Sequence, residues 1–140
     1  MLSNTLFHVI RVIYQEHTAQ WSNVMPTLTK PQYAVLESLD ANGPLDQVSL
    51  GEASAIKRGT LTDMLARMER KGLIQRSPSL HDARQKQVEI TDDGLRMLAM
   101  ARLAADKVNQ DLTRYLTSNE NQELLSLLQK ISSKIPSINP

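Results

Sequence analysis

The sequence predicts a mainly α-helical fold with a small β-hairpin wing: a winged helix-turn-helix carried between N- and C-terminal dimerisation helices. Three observations lead there. A basic amphipathic helix, Thr60 to Lys71, runs directly into Gly72-Leu73-Ile74-Gln75-Arg76. A charged turn, His81-Asp82-Ala83-Arg84, and a short apolar run ending at Ile90 follow, before Thr91-Asp92-Asp93-Gly94 opens another helix. Both ends of the chain are helical in pattern and richer in apolar faces than one small chain can cover. A helix feeding a ribbon with an arginine at its tip suits the major groove of duplex DNA and the adjacent backbone or minor groove.

Each element follows from its own residues. From about Ser3 to Asn23, Leu2, Leu6, Val9 and Ile13 form one stripe. Phe7, Ile10, Arg11, Tyr14, His17, Thr18 and Trp21 share the other side of that helix. Thr29-Lys30-Pro31-Gln32 is a helix start, with Thr29 as cap and Pro31 in the first turn. Asn42-Gly43-Pro44 stops that helix. Val48-Ser49-Leu50 reads as an extended entry, with Ser49 capping a short helix to Ala55. The turn Ile56-Lys57-Arg58-Gly59 leads into Thr60 to Lys71, where Leu61, Met64, Leu65 and Met68 face inward and Gly72 is the left-handed cap.

The hairpin is expected over Arg76 to Glu89, with Leu73, Ile74, Val88 and Ile90 turned inward and the tip around Ser77 to Gln85. Thr91 then opens a helix to about Tyr115, with a seam of Leu98, Ala101, Ala105, Val108, Leu112 and Tyr115. A capping box, Thr117-Ser118-Asn119-Glu120, starts the last helix, which carries Leu124, Leu128, Ile131 and Ile135 on one side. A single domain over 1–140 is expected, with about 1–28 and 92–140 for dimerisation and about 29–91 for the winged helix-turn-helix. A second copy is the simplest cover for the terminal helices, so a twofold homodimer is expected.

Charge is informative only by its distribution. The formal net charge is +1, yet residues 57–87 hold eight Lys/Arg against three Asp/Glu, and the rest of the chain is net acidic. One cationic face on a near-neutral body is the footprint of a phosphate-binding surface. The absence of cysteine excludes thiol redox sensing and cysteine-ligated zinc. No phosphate loop, nucleophile elbow or clustered histidine set is visible, so neither an enzyme nor a cofactor is expected. No run of about 18 apolar residues or leader pattern appears, and a cytoplasmic location is expected.

The residues placed to meet DNA are Lys57, Arg58, Gly59, Thr60, Thr62, Asp63, Arg67, Asp82, Arg84, Gln85 and Lys86. At the hairpin tip, Arg84 can enter a narrowed minor groove, with Asp82 as its orienting partner. Thr60, Thr62 and Asp63 point away from the inward stripe, and Asp63 can accept from a cytosine amino group. Lys57 and Arg58 suit phosphates at the helix entrance, as do Gln85 and Lys86 on the wing flank. Arg67 is either a base reader or an ion-pair partner.

Residues 29–95 resemble the MarR family of transcription regulators. The resemblance is carried by Leu28-Thr29-Lys30-Pro31-Gln32-Tyr33, by Gly59 to Thr62 running on to Glu69-Arg70-Lys71-Gly72-Leu73-Ile74-Gln75-Arg76, and by Asp82-Ala83-Arg84 with Ile90-Thr91-x-x-Gly94. It departs at Gly59, where the family usually has Ser or Thr, and at Ala83, where a second arginine is common. The resemblance implies a homodimeric regulator on a pseudo-palindromic operator, usually a repressor released by a small phenolic or carboxylate ligand. A site for such an aromatic acid is expected from Arg11, Tyr14, His17, Thr18 and Trp21, closed by Tyr33, where rings stack and Arg11 pairs with the anion. The competing and plainer reading makes Tyr14 and Trp21 dimer-interface core and Arg11 a salt-bridge partner. A winged-helix protein-interaction module without operator binding is the competing function.

Overall fold

The structure is a computed structural model that describes residues 1–139. After a 3-10 turn at Leu2–Asn4, the elements are α1 (Leu6–Val24), α2 (Lys30–Asn42), α3 (Gln47–Ser54), α4 (Arg58–Arg70), β1 (Ile74–Pro78), β2 (Lys86–Ile90), α5 (Asp92–Thr113) and α6 (Ser118–Ser132). The expected fold class is found: a helical protein with one antiparallel hairpin. Within it two compact units are present. One comprises Met1–Thr29 with Arg102–Ile135, the other Lys30–Ala101 with Pro136–Pro140. The boundary falls inside α5 because a 22-residue helix supplies side chains to both units. The last residues belong with the middle of the chain, not with the helix they follow.

In the unit from Lys30 to Ala101, Val35, Leu36, Leu39, Leu50, Leu61, Leu65, Met68, Leu73, Ile74, Val88 and Leu98 are buried. The hairpin register pairs Ile74 with Ile90 and Arg76 with Val88, with Pro78 opposite Lys86. Leu45 adds an isolated antiparallel bridge to β2, since Val88 N donates to Leu45 O at 2.7 Å and Leu45 N donates to Val88 O at 3.0 Å.

Two helix starts differ from expectation. α3 begins at Gln47, capped by Asp46, whose carboxylate accepts from Ser49 N at 3.1 Å and from Ser49 Oγ at 2.6 Å. Ser49 therefore lies inside the helix instead of capping it. A carboxylate accepts more strongly than a hydroxyl and complements the helix dipole, which is why the earlier start wins. These bonds hold the Asp46 carboxyl below its ordinary range. α4 begins at Arg58, two residues before Thr60, because the turn is already complete at Ala55 in left-handed backbone (φ 56°).

Gly72 has φ 77° and ends the fourth helix as expected. Thr91 Oγ1 donates to Gly72 O at 2.5 Å and accepts from Gly94 N at 3.0 Å, so one hydroxyl caps α5 and ties it to the end of α4. Gly94 is small for a steric reason. A Cβ there would overlap the Leu73 carbonyl oxygen and lie 2.7 Å from Ile90 Cγ1.

In the other unit, Trp21, Met25 and Leu28 are buried, and Trp21 Nε1 donates to Leu28 O at 2.7 Å. The Thr117/Glu120 capping box forms at α6. Along α5 the buried hydrophobic residues are Leu98, Ala101, Ala104 and Val108; Ala104 takes the place expected of Ala105. Tyr115 lies past the helix end and is 79% exposed. The buried positions still follow a heptad-like stripe, displaced by one residue at its middle. On α1, Leu6, Phe7, Ile10 and Ile13 are exposed, as are Leu124, Leu125, Leu128 and Ile131 on α6.

Candidate nucleic-acid interface

The site is built on α3, α4 and the hairpin. Leu61, Leu65 and Met68 anchor α4 in the core, with Met64 half-buried beside them, so Thr62, Asp63 and Arg67 face solvent. Lys57, Arg58, Gly59, Thr60, Thr62, Asp63 and Arg67 are all exposed. Lys57 precedes the helix without a side-chain cap bond. Arg67 makes no ion pair among the described residues; Arg76 pairs with Glu69 at 3.9 Å.

Thr62 is more constrained than a solvent-facing threonine. Its hydroxyl donates to Arg58 O at 3.0 Å and accepts from Gln47 Nε2 at 2.8 Å. Those two bonds use its only donor and leave one acceptor lone pair and its methyl open on the exposed face. Gln47 was not legible as a site residue, because only the fold brings the first turn of α3 beside α4. The pairing of two helices by a tight turn was its one available signal.

At the ribbon tip, Arg84 N donates to Asp82 Oδ1 at 3.0 Å, and Arg84 Nε lies 3.5 Å from the same oxygen. Gln85 N donates to Asp82 O at 3.0 Å. Asp82 thus folds the tip and turns the guanidinium, while Arg84 keeps 94% of its side-chain surface exposed. Gln85 and Lys86 are exposed beside it. Gln75 Nε2 donates to Glu89 Oε1 at 2.6 Å across the strands, which occupies an acid on the ribbon.

A further residue enters from the chain's end. Asn139 Oδ1 accepts from Arg58 N at 3.1 Å, and its Nδ2 donates to Ile56 O at 3.0 Å. A separation of 81 residues left no local pattern to reveal it.

The residues expected to hold a small ligand are not gathered as a set. Arg11, Tyr14 and Thr18 are exposed on α1, with Thr18 Oγ1 donating to Tyr14 O at 2.9 Å. Trp21 departs from the expectation of an open donor. Its indole is 2% exposed and its N–H is already given to Leu28, because the turn after α1 folds back over it. Tyr33, in the other unit, donates its hydroxyl to Glu37 Oε1 at 3.0 Å. His17 lies 3.1 Å from Asn109 Oδ1 and lines an open cavity of about 370 Å³ with Ile13, Leu112, Leu124, Leu125 and Leu128. Arg11, Tyr14, Thr18 and Trp21 are absent from that lining.

No group of three His, Cys, Asp or Glu among the described residues is arranged for a metal ion. No helix among them is long and apolar enough to cross a membrane.

A helix-turn-helix with an exposed cationic outer face, flanked by an arginine-tipped ribbon, defines a winged-helix DNA-binding protein. Residues 28–86 match the model of the MarR family. The transcriptional regulator HosA of Escherichia coli O127:H6 is 38% identical over 130 residues, covering 93% of this chain and 96% of its own. The chain belongs to the MarR family of transcription regulators. Its fold is similar to that of Bordetella bronchiseptica BpsR, in a structure on regulation of DNA binding by 6-hydroxynicotinic acid. That match has TM-score 0.89 and 27% identity, and covers 95% of this chain and 96% of BpsR. It is also similar to the repressor CouR bound to a 23-mer DNA duplex, with TM-score 0.86, 29% identity and 94% of each chain covered.

Proposed function

We propose that the protein is a homodimeric repressor that holds a pseudo-palindromic operator and leaves it when a small aromatic carboxylate or phenol binds. The observation that carries the DNA half is the row of exposed cations Lys57, Arg58, Arg67, Arg84 and Lys86 on one winged-helix frame. Asp63 is the one exposed acid among the proposed contacts on α4, at a position suited to a cytosine amino group. An interaction-only module has no need for an arginine held out at the ribbon tip together with two cations at the helix entrance.

Dimerisation is supported by the apolar residues left exposed on α1 and α6. Leu6 (68%), Phe7 (65%), Leu125 (57%) and Ile131 (54%) are large apolar side chains left open on two helices of one unit, more than a chain that works alone would expose. A second copy covers them by symmetry and sets two α4 helices about 34 Å apart for successive major grooves.

The effector class is supported by Arg11, Tyr14 and Thr18 on one exposed face of α1, and by the acid in the BpsR structure's description. A carboxylate pairs with Arg11 and a ring lies on Tyr14. Such a ligand releases DNA only if it binds the DNA-incompetent dimer more tightly, typically by about 1–3 kcal/mol of coupling.

A footprint on the DNA flanking the protein's own gene, repeated with a panel of aromatic acids, tests the whole reading. A protected, twofold-symmetric site lost with one acid is expected. Uniform protection at every sequence, or none, overturns it.

A further inference from the structure

The entrance of α4 is the least supported part of the reading head by local sequence. Lys57, at the capping position, has no side-chain oxygen, so the first N–H groups of the helix have no cap from their own segment. Gly59 has open space around it and adds no stiffness. Yet Lys57, Arg58 and Thr60 must be held in register to meet successive phosphates and base edges.

The support comes from the other end of the sequence. The amide of Asn139 spans the turn between α3 and α4, accepting from Arg58 N at 3.1 Å and donating to Ile56 O at 3.0 Å. It packs against α3 at Gly51, where a Cβ would come within 3.3 Å of Nδ2 and 3.2 Å of Ile56 O. Its own backbone is fixed by Ser137, whose Oγ accepts from Asn139 N at 3.2 Å and donates to Asn139 O at 3.2 Å. One side chain thus meets three parts of the helix-turn-helix: the middle of α3 at Gly51, the turn and the first residue of α4.

We infer that Asn139 is a positioning residue for DNA reading, and that the tail Pro136–Asn139 staples the helix-turn-helix in its reading geometry. The acceptor replaces the missing N-cap, and the donor satisfies a turn carbonyl. Because Asn139 takes the Arg58 N–H, a phosphate at this entrance is met by the side chains of Lys57 and Arg58. This role rests on the DNA-binding reading above; the capping bond itself does not.

The test uses the full chain and two readouts. Amide hydrogen exchange at Arg58 reports the staple without DNA. Asn139→Ala is expected to speed it about fivefold or more, the equivalent of one lost cap. Asn139→Asp, which keeps the acceptor but loses the donor, is expected to retain most of the protection. Unchanged exchange at Arg58 in Asn139→Ala overturns the inference, whether or not the protein binds DNA.

Affinity is then measured for a duplex selected by the wild-type protein from a random library, and for a scrambled duplex of equal length. Asn139→Ala is expected to weaken the selected duplex about fivefold and leave the scrambled duplex and the salt slope unchanged, since no charge is lost. Equal weakening on both duplexes, or tighter binding to the selected one, overturns the positioning role. Failure of the wild-type chain to bind any duplex defeats the DNA reading, and with it this role, but leaves the Arg58 exchange result standing.

Discussion

Replacing glycine by alanine inside a helix ordinarily stabilises a protein by about 0.5–1 kcal/mol, because glycine loses more backbone freedom on folding. Gly94, in the first turn of α5, is expected to do the opposite. An alanine Cβ there would overlap Leu73 O, lie 2.7 Å from Ile90 Cγ1 and 3.2 Å from the Leu73 carbonyl carbon. Two of the three atoms are backbone, so no side-chain rotation relieves the crowding. The Leu73 carbonyl must retreat, and it is also the acceptor for Thr91 N at 3.1 Å. Overpacking of this kind costs about 1–3 kcal/mol, and losing the hydrogen bond adds about 1 kcal/mol. Against a propensity gain of at most about 1 kcal/mol, the net expectation for Gly94→Ala is about 2 kcal/mol of destabilisation. For a 140-residue chain that is a fall in Tm of about 7 °C, measured by calorimetry on the wild type and the variant side by side. Gly59→Ala is the internal control, since nothing lies within 4 Å of its Cβ position. It should be neutral or slightly stabilising. A Gly94→Ala protein as stable as the wild type, or more so, would refute the close-packing argument for the junction of wing and α5.

Three more outcomes follow from the same geometry. Arg84→Ala should weaken binding to duplex DNA and flatten the salt dependence by about 0.9 per lost phosphate contact, or relax base preference if it reads a narrow minor groove instead; competition binding at several salt concentrations separates the two. Asp46→Ala should cost about 1 kcal/mol in urea unfolding by uncapping α3. Because the folded state holds the Asp46 carboxyl below its ordinary 3.8, its contribution is full above that value and is lost as pH falls further. The stability of Asp46→Asn should therefore decline less steeply than the wild type's over that acid range. Thr62→Val keeps a methyl but loses the hydroxyl bonded to Gln47 and Arg58 O. Its effect on affinity should match that of Gln47→Ala if the two act as a pair, as a double-mutant cycle reports.

Much of the reading head is legible in the sequence because its signals are local. The Gly72 stop, the inward Leu61/Leu65/Met68 stripe, the period-two hairpin and the Thr91-x-x-Gly94 junction each depend on residues a few positions apart. Their positions in the structure follow those patterns closely. Legibility ends where a contact is long in sequence. Leu45 pairs with Val88, Gln47 with Thr62, and Asn139 with Arg58, and no periodicity announces any of them. The start of α3 was misplaced for another reason. Asp46 and Ser49 are both capping residues three positions apart, and the stronger acceptor took the earlier place. Trp21 shows the limit of reading a face from helical period alone. Its stripe pointed to an open aromatic wall, but the turn after α1 brings Leu28 O to its N–H and buries it.

The central claim is that the cationic face of α4 and the ribbon meets duplex phosphates, two copies at a time. The slope of log affinity against log salt concentration on a selected duplex measures this most directly. With Lys57, Arg58, Arg84 and Lys86 each neutralising one phosphate in both copies, the slope should be about −7. A slope near zero, or no retention of duplex at low ionic strength, would contradict it.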